Sequence, residues 1–127
     1  MCIRDSYGCS GVQAALEGAR IGLADNWLRH IQAVRDQHAE LLALVPEEQK
    51  ANVLCELNVI EQVANVCTST VIEDAWRNGQ PVTIHGWAFG VHDGLPQDLK
   101  LTVSTLQQLR DSRAEALAQV RSKYGAA

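Results

Sequence analysis

The chain has 127 residues, enough for one compact domain with a real core and too few for two. Apolar residues make up 46% and charged residues 20%, a balance that argues against intrinsic disorder. The net charge is −4 with no basic run, so neither nucleic acid nor an anionic membrane surface is an expected partner, and no apolar stretch nears the roughly 20 residues of a membrane helix.

In chain order, Tyr7-Gly8-Cys9-Ser10-Gly11 reads as a strand-to-helix loop with almost no strand before it, opening a helix near Val12 to Glu17. A second helix is expected after Asp25 or Asn26, either of which suits a cap, with Trp27, Ile31, Val34, Leu41 and Val45 toward the core. The clearest helix lies between Pro46 and Cys67. There Val53, Leu57, Ile60, Ala64 and Cys67 recur at helical steps and further apolar residues widen the stripe, so this helix is expected to be central. Thr70 and Glu73 have capping-box spacing, and Asn78-Gly79 followed by Pro81 ends a short helix near residues 70–78.

The pattern then turns to β. Val82 to Phe89 reads as a strand, Asp93-Gly94 as a turn, and Leu99, Leu101 and Val103 alternate over a second strand. Ser104 with Gln107 has the spacing of another capping box. It opens a last helix that runs toward Lys123 with Leu106, Leu109, Arg113, Leu117 and Val120 on one side. Two strands are too few for this many helices, so further strands are expected upstream.

The four cysteines, Cys2, Cys9, Cys55 and Cys67, are dispersed in a chain of ordinary core composition, and the first residues lack a secretory pattern. Reduced thiols and a cytoplasmic location are expected. Cys55 and Cys67 would lie about 18 Å apart along one helix and read as buried apolar thiols. His30, His38, His85 and His92 are scattered, and no compact zinc motif occurs. Cys9 differs: it sits between glycines at a helix start, where backbone N–H groups stabilise a thiolate, which makes it a candidate metal ligand or nucleophile. A redox role for Cys9 lacks a resolving cysteine at useful spacing.

Tyr7-Gly8-Cys9-Ser10-Gly11-Val12 resembles the second zinc-ligand motif, H-Y-G-C-G-G-V, of the β-class carbonic anhydrases. Gly22 to His30, Leu54 to Val63 and Ile84 to Gly94 resemble the same family in the same order. The resemblance implies an α/β fold with a mostly parallel central sheet flanked by helices. It also implies zinc-dependent hydration of carbon dioxide to bicarbonate and assembly as a homodimer or larger homo-oligomer. Members hold zinc with two Cys and one His, leave a fourth position for water, and orient the bound hydroxide with an Asp–Arg pair.

Cys9 aligns with the second cysteine ligand. Ser6 stands where the histidine belongs, and the first-cysteine motif, C-x-D-x-R, has no counterpart; Arg4 and Asp5 are in the wrong order to supply the catalytic pair. Phe89 replaces the tyrosine of a bicarbonate pocket found in some members, which puts that regulation in doubt. Residues 7–127 are therefore expected to be the C-terminal part of a single carbonic anhydrase domain lacking its early strands, inactive by itself. Residues 1–6 are expected to be foreign to it. The alternative is a non-catalytic binding or assembly module on the same scaffold, favoured by Ser6.

Overall fold

The computed structural model describes residues 1–20, 22–90 and 94–125. Strand β1 spans Cys2–Tyr7, β2 Ile84–Gly90 and β3 Pro96–Val103. The helices are α1 (Ser10–Glu17), α2 (Asp25–Gln37), α3 (Ala39–Leu44), α4 (Lys50–Cys67), α5 (Thr70–Arg77) and α6 (Leu106–Lys123), with short 3-10 turns at Gly22–Ala24 and Glu47–Gln49. The α/β class holds, but the sheet is mixed rather than mostly parallel. Its order is β1-β2-β3, with β1 parallel to β2 and β2 antiparallel to β3.

The first strand is a correction. The sequence predicts almost no strand before the Tyr7–Gly11 loop, where Arg4-Asp5-Ser6 holds none of the β-branched or aromatic residues that favour one. Residues 2–7 are extended because they pair with β2 from Cys2↔His85 to Tyr7↔Gly90, while Ile3 and Tyr7 pack against the core. Partnership overrides propensity here.

Helix α4 is the centre of the molecule. Val53, Leu54, Leu57, Val59, Ile60 and Val63 are buried, and the helix touches all three strands as well as α1, α2, α3, α5 and α6. It comes closest to β2 at Gly86, where an added Cβ would lie 3.1 Å from Val59 Cγ1 and 3.3 Å from Leu101 Cδ2. A residue without a side chain is what lets helix and strand meet. Burial of Ile84, Ala88, Leu99, Leu101 and Val103 completes this side of the core, with Ala116 and Val120 of α6 lying over β3.

Other expectations shift by a residue or a face. The helix after Asp25 breaks at His38 into α2 and α3, and its N-cap is Ala24 rather than Asp25 or Asn26. Trp27 is 79% exposed and Leu28 takes the inward position, because one residue is a rotation of about 100°. Ser69, not Thr70, caps α5, and no side-chain bond closes a capping box there. At α6 the box falls one residue later than Ser104–Gln107: Thr105 Oγ1 accepts from Gln108 N at 3.4 Å, and Gln108 Oε1 accepts from Ser104 N at 2.9 Å. Leu106 is half exposed rather than inward. The expected Asp93-Gly94 turn lies partly outside the described residues, as does His92.

Strand β3 carries an irregularity opposite Gly86 and Trp87. Lys100 adopts a φ of 55°, and Asp98 Oδ1 accepts its backbone N–H at 2.8 Å. The bulge adds local twist, and Leu99 and Leu101 on either side of Lys100 both remain buried.

Candidate functional site

Cys9 lies where the chain leaves β1 and enters α1. Gly8, with a φ of 76°, makes the turn, and Cys9 takes the extended backbone of an N-cap with its carbonyl accepting from Gln13 N at 3.1 Å. The thiol therefore stands at the carboxyl end of a strand, the position from which open α/β sheets present ligands.

A cleft of about 390 Å³ opens beside it, floored by Asp5, Cys9 and Asn58 and rimmed by Arg4, Trp27 and His30. Asp5 is held on both oxygens: Oδ1 accepts from Ser6 N at 2.8 Å and Oδ2 from Asn58 Nδ2 at 2.9 Å. Gln62 Nε2 in turn donates to Asn58 Oδ1 at 3.2 Å, so a row of carboxamides on α4 fixes the carboxylate. The Arg4 guanidinium lies 5.4 Å from the centre of the Phe89 ring. Among the described residues no ion pair joins Arg4 to Asp5.

The remaining cysteines and histidines do other work. Cys55 and Cys67 are fully buried; burial pushes the Cys67 thiol up to about 11, and burial with the Asp5 and Glu56 carboxylates pushes Cys55 up as well. His38 Nε2 lies 2.9 Å from Glu61 Oε1, and His85 Nδ1 3.1 Å from Thr102 Oγ1 across the β2–β3 pair. His30 shares the Cys9 cleft. A larger groove of about 540 Å³ between α5 and the start of α6 is lined by Glu73, Trp76, Arg77 and Leu106, without a thiol or imidazole. Chemistry favours the smaller cleft.

These residues alone do not fit a zinc ion. Zinc takes three or four donors drawn from thiolate, imidazole and carboxylate. Among the described residues no three His, Cys, Asp or Glu side chains converge to hold a metal. Ser6 brings only a neutral hydroxyl to the β1 end. No helix among the described residues is long and apolar enough to cross a membrane.

The profile of the carbonic anhydrase family matches residues 5–95, nearly three-quarters of the chain, including every residue lining the Cys9 cleft except Arg4. The chain belongs to the carbonic anhydrase family. It is 41% identical over 97 residues to a carbonic anhydrase of Emericella nidulans, an alignment covering 75% of this chain and 42% of that protein. Its fold is similar to a Coccomyxa β-carbonic anhydrase solved in complex with acetazolamide, with a TM-score of 0.77, 27% identity, and coverage of 84% of this chain and 49% of the other. One of two tetrameric β-carbonic anhydrases from Sordaria macrospora gives a TM-score of 0.69 at 27% identity, covering 80% of this chain and 52% of that one. The chain thus spans about half the length of the carbonic anhydrases it matches, and its α/β fold is that of the β class.

Missed in the sequence was a buried polar cluster behind the cleft. Glu56 on α4 is 2% exposed; its Oε1 accepts from Lys123 Nζ at 3.0 Å and its Oε2 from the Tyr124 hydroxyl. The partners lie 67 and 68 residues away, and in the sequence Glu56 reads as part of the polar edge of α4 with Asn52, Gln62 and Asn65, so its burial is a correction with no local signal.

Proposed function

We propose that this chain supplies Cys9 as one zinc ligand of an enzyme that hydrates carbon dioxide to bicarbonate, the remaining donors coming from polypeptide outside these 127 residues. The observation that carries the reading is the placement of a lone thiol at the end of β1, on a family scaffold, facing a cleft with too few donors to close a metal site. A completed zinc centre would supply an acidified water as nucleophile. This chain's own part is to hold the Cys9 backbone through Gly8 and α1, and to keep Asp5 fixed by Asn58 at the cleft floor. The tetrameric relative supports working as a homo-oligomer. The dispersed cysteines, in a chain of ordinary core composition, support reduced thiols and a cytoplasmic location.

In this reading residues 7–127 are the C-terminal part of the domain, and the chain alone is inactive. Metal content by native mass spectrometry beside a stopped-flow hydration assay tests it. The expected result is under-stoichiometric zinc and no hydration above buffer. Full occupancy with turnover would overturn it. The second reading, a non-catalytic module, is favoured by Ser6 in place of histidine. It gains if a longer parent reading frame, with a C-x-D-x-R motif and a histidine before Tyr7, proves absent.

A further inference from the structure

We propose that Glu56, Lys123 and Tyr124 are positioning residues for the Cys9 turn, acting through Tyr7. The inference deepens the proposed role of Cys9, but its test needs neither metal nor turnover.

Tyr7 ends β1 two residues before Cys9, with only Gly8 between them. Glycine is the most permissive residue of the backbone, so the Cys9 turn has little stiffness of its own and takes its geometry from what holds Tyr7. The Tyr7 hydroxyl is buried without a hydrogen-bond partner of acceptable geometry, yet it adjoins the Glu56 carboxylate and the Tyr124 phenol. Burial and that carboxylate push the Tyr124 phenol well above its ordinary range, so it stays protonated and donates to Glu56 Oε2. Lys123 Nζ sits 5.9 Å from the centre of the Tyr7 ring and 5.3 Å from that of Tyr124.

One carboxylate therefore gathers four elements. Glu56 comes from α4, Lys123 and Tyr124 from the end of α6, and Lys123 reaches on to Gln97 Oε1 of β3 at 3.3 Å. Tyr7 brings the end of β1. A buried carboxylate that loses a donor is costly, so the end of α6 is held in one place, and its ammonium and phenol wall in the Tyr7 ring. Loosening this clasp should free Tyr7 and, through Gly8, the turn at Cys9. A cavity of about 120 Å³ lined by Glu56, Asp98, Gln119 and Lys123 has room for water at the carboxylate, so removing one donor need not unfold the chain.

The test is amide hydrogen exchange by mass spectrometry on the whole chain and on Tyr124→Phe, Lys123→Met and Lys123→Arg. Tyr124→Phe and Lys123→Met are expected to speed exchange of the Cys9 and Gln13 amides, whose bonds to Ser6 O and Cys9 O define the turn, at least fivefold while residues 53–63 of α4 stay within twofold. Lys123→Arg, which keeps the charge, should restore slow exchange. Unchanged exchange at Cys9 and Gln13, or acceleration of both regions together, would overturn the proposal.

Discussion

Arg113 on α6 donates to Glu61 on α4, Nη2 to Oε1 at 2.6 Å, and Glu61 is only 8% exposed. His38, at the break between α2 and α3, approaches the same oxygen at 2.9 Å. Three helices are thus tied at one carboxylate. Replacing Glu61 by Ala leaves a half-buried guanidinium and an imidazole without their acceptor. The expected loss is about 2–4 kcal/mol of unfolding free energy, measured by urea denaturation, at the lower part of the range for broken buried pairs because Arg113 still reaches solvent. Arg113→Met should cost less than Glu61→Ala, since it keeps the stem that packs between helices.

The same group sets a pH dependence. Burial alone would raise the Glu61 carboxyl, but hydrogen bonds from His38 and Arg113 outweigh it and hold it below the ordinary value of 4.5. A carboxyl lowered in the folded state contributes stability that is complete above its unfolded value and lost as pH falls through its folded one. The urea midpoint of the wild type should therefore decline faster below about pH 4.5 than that of Glu61→Gln. Parallel decline of the two curves would remove Glu61 from the account.

Gly86 offers a packing test. A Cβ there would press on the tips of Val59 and Leu101, which are themselves fully buried. Gly86→Ala is expected to cost about 1–3 kcal/mol by overpacking. Because the nearest contact is one branch of a side chain, adding Val59→Ala should recover part of that loss. The coupling in this double-mutant cycle is the measurement, and simple additivity would place the strain elsewhere.

How far the sequence could be read depends on the range of each interaction. The stripe on α4, the alternation of Leu99, Leu101 and Val103, and the Asn78-Gly79 stop are local patterns, and all three are present. Cys9 between glycines was legible for the same reason. Trp27 and Leu28 both satisfy a helical stripe within one residue, and only the packing of α2 against α1 and α4 chooses Leu28. Strand β1 was illegible because its conformation comes from β2, some 80 residues away, rather than from Arg4-Asp5-Ser6. Glu56 and Glu61 read as ordinary helix carboxylates, because their cations and phenol belong to α6 and lie 52 to 68 residues further on.

The outer edge of β1 yields the last prediction. The sheet order leaves β1 at one margin, pairing with no strand on its far side among the described residues. His85 N donates to Met1 O at 2.9 Å, which by the alternation of a parallel ladder turns the backbone groups of residues 1, 3, 5 and 7 toward β2. Those of Cys2 and Arg4 then face outward as a template for another strand, whereas Ser6 N is taken by Asp5 Oδ1 and Ser6 O by Cys9 N. Arg4 is the one charge whose side chain also stays exposed on this strand, since Asp5 is tied inward to Asn58. The isolated chain is therefore expected to self-associate on gel filtration with light scattering. Arg4→Pro removes an outward N–H without touching the ladder to β2, and it should shift the population toward monomer even though it deletes a solubilising charge. A monodisperse wild type that melts cooperatively, or an Arg4→Pro variant that associates more strongly, would show that this edge is protected by something other than its backbone.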